Sequence, residues 1–230
     1  MELVGAPVIE LKSILTASFE NWVAEQAATQ KLSCALSGGA TALIFLSALR
    51  NATVDWRRIT LFWADERAVS PDDPESNYGL AERMLLSPLA ARAPRAIRMP
   101  ADQLPLDQAA IWYDAALASE LHAAPLDLAI LGVGEDGHIC SLFPGHKALM
   151  QNDLRAVAIE DAPKPPRRRL SLTLNFVLRT KKIWVIAIGQ RKLPVLHAAI
   201  NKTSQSTPLD LLMRRAADVT IFTDQQIRRP

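Results

Sequence analysis

The chain has 230 residues, 49% hydrophobic and 22% charged, enough to bury one sizeable core, and a single domain over 1–230 is expected. Lysine plus arginine exceed aspartate plus glutamate by only 26 − 24 = 2, which excludes a polycation built to coat nucleic acid or a lipid surface. Cys34 and Cys140 are too few and too isolated for a disulfide framework or a zinc site. No run approaches the roughly 18 apolar residues of a membrane span, and residues 1–10 carry no basic n-region, so a cytoplasmic protein is expected.

In chain order, Leu11, Ile14, Leu15, Phe19, Trp22 and Val23 recur at helical spacing and predict an amphipathic first helix. A buried strand is expected over Leu32–Leu36, ending in Ser37-Gly38-Gly39-Ala40-Thr41, with an apolar helix through Leu43, Ile44, Leu46 and Leu49 behind it. A glycine loop between strand and helix suits a phosphate, because its backbone N–H groups point past the strand end and the Ser37 and Thr41 hydroxyls can donate. The other reading is a plain turn with Thr41 as N-cap. The Gly-Lys-Ser/Thr ending of a Walker A loop is absent.

The second strand, Ile59–Trp63, runs into Asp65-Glu66-Arg67, three charges that fit a strand end only if they face a polar cleft. The rigid polar turn 71–77 is placed to fold over that cleft or simply to be solvated. Helical periodicity follows over 80–86 and Leu106–Leu121, with Pro88, Pro94, Pro100 and Pro105 between them.

The strongest buried-strand pattern is 126–133, which leads into Gly134-Glu135-Asp136-Gly137-His138. Together with Gly132 this matches G-x-G-x-x-G, but Phe143-Pro144-Gly145 interrupts the segment where a dinucleotide-binding crossover helix would run. The better reading is a glycine turn presenting Asp136 and His138, a side chain whose ordinary pKa near ~6.5 suits proton transfer at neutral pH. Cys140 is read as a small buried side chain, and Ser37 lacks the G-x-S-x-G elbow of a serine hydrolase. The remaining histidines, His122, His146 and His197, show no metal-ligand spacing, and no metal is assigned.

Strands are expected over 154–159, 170–174, 183–188 and 219–222, and helices over Leu193–Ile200 and Pro208–Arg215. Arg169 opens one of these strands and Lys192 follows another, so both cations sit where they could complete a phosphate site; either could equally be solvated. The basic run Arg167-Arg168-Arg169 is open to the same two readings. The alternation of helix and strand predicts an α/β fold with a largely parallel sheet, its polar residues gathered beyond the strand ends.

The strings SGGAT (37–41), DERAVSPDDPESNYG (65–79), GVGEDGHICSLFPG (132–145), KPPRRRLSLT (164–173) and GQRK (189–192) resemble, in order and spacing, the successive signatures of the 6-phosphogluconolactonases. The resemblance spans nearly the whole chain. It implies a Rossmann-like three-layer α/β/α fold, as in glucosamine-6-phosphate deaminases and ribose-5-phosphate isomerases, and hydrolysis of 6-phospho-D-glucono-1,5-lactone to 6-phosphogluconate. It further implies a phosphate site on Ser37, Gly38, Gly39, Thr41, Arg169 and Lys192, cleft charges on Asp65, Glu66 and Arg67, and a catalytic His138. Departures from the family pattern are Ala42 for proline, Cys140 for alanine and Ser171 for threonine, none of which removes a group the chemistry needs.

On this reading His138 activates water, Asp136 or Asp65 orients its ring, and Arg67 meets the oxyanion or a substrate hydroxyl. The expected ligand is a small sugar-phosphate lactone, with no cofactor and no nucleic-acid or membrane partner, and the expected state is a monomer or weak homodimer. The deaminase branch of the same fold is the nearest rival. It is disfavoured because Arg67, not tyrosine, follows Asp65-Glu66, and because no asparagine-glutamate pair follows His138. A non-catalytic sugar-phosphate sensor is the second alternative.

Overall fold

Apolar runs buried on both faces are what the interior of a parallel sheet demands, and five such segments pair here between two short, more exposed edge strands. The computed structural model describes residues 1–203 and 206–227. Its strands are β1 (Glu2–Gly5), β2 (Leu32–Leu36), β3 (Ile59–Trp63), β4 (Asp65–Arg67), β5 (Arg95–Ile97), β6 (Leu128–Gly132), β7 (Ala156–Ile159), β8 (Arg169–Leu172), β9 (Lys182–Ala187) and β10 (Val219–Thr223). Seven form an all-parallel sheet in the order β1-β10-β9-β6-β2-β3-β5. The other three form a small antiparallel sheet, β4-β8-β7.

Helices flank the parallel sheet. They are α1 (Val8–Ala24), α2 (Ala42–Asn51), α3 (Asn77–Ala81), α4 (Ser87–Leu89), α5 (Leu106–Leu121), α6 (Leu174–Leu178), α7 (Leu193–Ile200) and α8 (Pro208–Arg215). Helix α1 packs on α2, α7 on α8, and α5 against β7 and β8. Burial holds α1 in place: Leu11, Leu15, Phe19, Trp22 and Val23 are all buried, and each contributes about 1.5–3 kcal/mol. Its N-cap residue, Pro7, makes no side-chain cap bond. Among the described residues no helix is long and apolar enough to cross a membrane.

Strands β2 and β6 are neighbours, but the chain leaves β2 toward β3 and leaves β6 toward β9. The connections therefore diverge between them, and the crevice beyond their carboxyl ends is the place such sheets offer a ligand. The loops 37–41 and 133–138 both start there.

Expected and observed elements differ in specific ways. The strand expected over 126–133 is shorter (β6), and the helix expected over 80–86 is α3 followed by a π-helical turn, Glu82–Leu86, that runs into α4. The run 170–174 divides into β8 and the start of α6, because the buried Thr173 side chain accepts from the Phe176 N–H and caps a new helix. The charges 65–67 do not simply trail a strand; they form β4, paired antiparallel with β8 so that Asp65 faces Ser171 and Arg67 faces Arg169. The edge strands β1 and β5, four and three residues long, are too short to show a hydrophobic period.

Candidate active site

The site is assembled from four carboxyl ends of the parallel sheet. Ser37 still donates its N–H to Ile130 O at 2.9 Å, so the glycine loop begins directly where the ladder stops. Gly39 sits at φ +80°, and a side chain on Gly38 would collide with the Asn77 amide, so the loop lies tight against the start of α3. Thr41 occupies the N-cap position of α2 without a side-chain cap bond. Among the described residues no group accepts a hydrogen bond from the N–H groups of residues 38–41. Open donors at a helix N-terminus form an anion cradle.

The turn after β6 is built for one side chain. Gly137, at φ +78°, donates to Gly134 O at 3.0 Å, and Gly134 donates to His138 O at 2.9 Å. The returning chain places His138 Nδ1 2.5 Å from Asp136 Oδ1. Nδ1 is thus committed to the carboxylate, and Nε2 has no protein partner among the described residues. The ring lies against Phe143, with centroids 4.5 Å apart. Burial pulls the His138 pKa below its ordinary value even though the Asp136 carboxylate pulls the other way, so the imidazole is neutral at pH 7. Burial alone would raise the Asp136 carboxyl, but His138 and Lys164 together outweigh it and hold that pKa down.

Asp65 has a different occupation. It is buried, and its carboxylate accepts from Ser141 Oγ at 2.7 Å, Ser37 Oγ at 3.3 Å and Asn77 Nδ2 at 3.3 Å. It therefore ties the glycine loop to α3 and to the 139–142 turn, while Asp136 alone touches the histidine. Ser171 Oγ accepts from the Ser141 N–H at 3.2 Å, so the hydroxyl at that position holds the same turn.

A cavity of about 160 Å³ opens between these loops. Nine of the eleven sequence-expected residues line it: Ser37, Gly38, Gly39 and Thr41 from the loop, Asp65 and Arg67 from β4, and His138, Arg169 and Lys192. Asp136 stands behind His138. Glu66 is turned away from the cavity, because strand alternation sends Asp65 and Arg67 to one face of β4 and Glu66 to the other. Its buried carboxylate accepts from the N–H groups of Arg67 (2.8 Å), Asn77 (2.8 Å) and Tyr78 (2.7 Å) and from Ser76 Oγ (3.2 Å). Glu66 thus anchors the 71–77 turn and caps α3 rather than meeting a ligand.

The cations also divide. Arg169 donates through Nε to Pro166 O at 2.7 Å and through its other nitrogens to Lys164 O, Pro165 O and Ser141 Oγ, so most of its fork is spent on the protein. Arg67 Nη1 donates to Glu75 O at 2.6 Å, but its Nε is buried with no partner among the described residues. Lys192 makes no ion pair among the described residues, and burial lowers its ammonium pKa while Glu135 and Asp224 support the charge. Cys140 lines the cavity too, but burial pushes its thiol pKa up and leaves it a poor nucleophile. The residue sequence reasoning missed is Lys164, whose Nζ is 3.0 Å from Asp136 Oδ2. Among the described residues no group of three or more His, Cys, Asp or Glu side chains is placed to hold a metal ion.

A family model described as glucosamine-6-phosphate isomerases/6-phosphogluconolactonase matches residues 10–221. The 6-phosphogluconolactonase of Mycobacterium tuberculosis is 36% identical over 177 residues, covering 72% of this chain and 71% of that one. The rat 6-phosphogluconolactonase is 34% identical, covering 94% of this chain and 89% of its own. Among solved structures, a 6-phosphogluconolactonase from Shewanella baltica superposes with a TM-score of 0.85 at 26% identity, over 97% of both chains. With a family model spanning nearly its whole length and relatives above 30% identity over most of it, the chain belongs to the glucosamine-6-phosphate isomerase/6-phosphogluconolactonase family.

Proposed function

We propose that this protein hydrolyses 6-phospho-D-glucono-1,5-lactone to 6-phospho-D-gluconate, the second step of the oxidative pentose phosphate pathway, with His138 as general base. The observation that carries this reading is that a neutral histidine, fixed through Nδ1 by Asp136, shares one small polar cavity with an open N–H cradle and an unpaired lysine. The cradle at 37–41 and Lys192 would take the phosphate and set the distance from it to the lactone carbonyl. Arg169 would contribute mainly by shaping the wall.

A lactone carbonyl is already electrophilic, so no covalent nucleophile is needed. Water attacks C1 while His138 Nε2 removes its proton, and the carbonyl electron pair moves onto oxygen. Asp136 stabilises the imidazolium that forms. Arg67, whose side chain lines the cavity, would meet the oxyanion or a substrate hydroxyl. Collapse of the intermediate breaks the bond from C1 to the ring oxygen, which takes the proton from His138 and leaves as a hydroxyl. The new carboxylic acid ionises and releases one proton to solvent. No step calls on a metal or cofactor, and the protein would act in the cytoplasm as a monomer or weak homodimer.

The relatives named above carry the lactonase name, and Arg67 after Asp65-Glu66 distinguishes the chain from the deaminase branch. The discriminating experiment offers the purified protein fresh 6-phosphogluconolactone and, separately, glucosamine 6-phosphate. Proton release from the first without ammonia from the second is expected. Ammonia release would assign the deaminase branch, and neither product would leave a sugar-phosphate-binding protein.

A further inference from the structure

One carboxylate, Asp136, has both oxygens engaged, and the second partner has no place in the mechanism above. Oδ1 holds His138 Nδ1 at 2.5 Å, while Oδ2 pairs with Lys164 Nζ at 3.0 Å. The Lys164 side chain is 47% exposed, which for an ordinary surface lysine would mean a wandering ammonium and a negligible pair. Its backbone is not free, however. The Arg169 guanidinium takes the carbonyls of Lys164 (3.0 Å), Pro165 (3.2 Å) and Pro166 (2.7 Å), and it is itself buried and held by Ser141 Oγ. One guanidinium thus clamps three successive carbonyls of the loop that delivers Lys164 to the dyad.

We propose that Lys164 is a positioning residue for the reaction, locking Asp136 through its second oxygen and offsetting the carboxylate's charge beside His138. The proposal rests on the lactonase reading for its role but not for its geometry. An aspartate held only by the histidine could rotate about its Cβ–Cγ bond and would stabilise the imidazolium strongly. A cation on the far oxygen stops the rotation and works against protonation of the ring. The other charges around His138 are Asp65 on β4, which favours the imidazolium, Arg169 beyond the Phe143 ring, and Arg67 and Lys192 across the cavity. Of the groups that act on His138, Lys164 is the cation coupled directly to its orienting carboxylate.

The test compares wild type, Lys164→Met and Lys164→Arg by two readouts. One is the acid limb of kcat/KM against pH with the phosphorylated lactone, corrected for spontaneous hydrolysis. The other is the NMR titration of the His138 ring in histidine-labelled protein, which needs no activity. Lys164→Met should move both midpoints to higher pH by about 0.5–1 unit, a value reduced from the bare Coulomb figure because the ammonium is half exposed. Lys164→Arg should return both toward wild type. An unmoved His138 titration in Lys164→Met, or an equal shift in Lys164→Arg, overturns the proposal. A wild type that titrates as expected but releases no protons from the lactone would instead refute the function proposed above.

Discussion

A side chain at Gly134 would overlap the imidazole of His138, so the ring rests against bare backbone at the mouth of its own turn. Gly134→Ala must therefore push the ring off its bond to Asp136. Displacement of a reacting group by about 1 Å costs roughly 10²-fold in rate. The expected outcome is a kcat lowered by about that factor with thermal stability little changed, measured by steady-state kinetics and a melting curve on the same preparation.

The pH dependence follows from the direction of the His138 shift. Burial holds its folded pKa below 6.5, so activity should fall only as pH drops through a midpoint lower than that of a free histidine. Stability carries the same sign. Between 6.5 and the folded value the unfolded chain binds a proton that the folded chain does not, so this contribution is fully present above 6.5 and is lost as pH falls through the window. Denaturant titrations of wild type and His138→Gln across that range should converge as the pH falls.

Lys192 tests the phosphate end of the cavity. Loss of a charge-assisted bond, worth about 1.5–3 kcal/mol, should raise KM for the phosphorylated lactone roughly 10–10²-fold in Lys192→Ala. The unphosphorylated gluconolactone has no group for the lysine to hold, so its kcat/KM should not change. An equal loss on both substrates would place Lys192 elsewhere in the mechanism.

Glu66 is expected to matter for stability more than for turnover. Burial raises its pKa against the pull of three backbone N–H donors, and truncation would leave those donors buried and unpaired. Glu66→Ala should cost about 2–4 kcal/mol in a denaturation experiment. Its KM, measured on the folded fraction, should stay near wild type.

Residues whose environment is set locally were legible before the structure. The buried run Leu32–Leu36 ends at Ser37-Gly38-Gly39 whatever lies beyond it, and the Gly134 to His138 turn announces itself through its glycines. Glu66 was misplaced among the cleft charges because three consecutive charged residues hide a strand. Once 65–67 is β4, the two-residue alternation separates Glu66 from Asp65 and Arg67. The choice between Asp65 and Asp136 as partner of His138 depends on a distance between segments, and so does the pairing of Lys164 with Asp136 across 28 residues of chain, 164 − 136. No periodicity encodes such contacts. The start of α6 lies inside a run read as a strand, 170–174, because five apolar and hydroxyl residues fit a short strand as well as they fit a strand end followed by an N-cap at Thr173.

If His138, held by Asp136, is the base that opens a phosphorylated lactone, its removal must slow the opening itself. The most direct test is the rate of proton release after adding freshly generated 6-phosphogluconolactone to wild type, His138→Ala, Asp136→Asn and Asp65→Asn, each against spontaneous hydrolysis. Wild type should accelerate release, His138→Ala should lower kcat about 10²–10⁴-fold with little change in KM, and Asp136→Asn should cost more in kcat than Asp65→Asn. An unchanged kcat in His138→Ala, with acceleration by wild type intact, would contradict this role for His138.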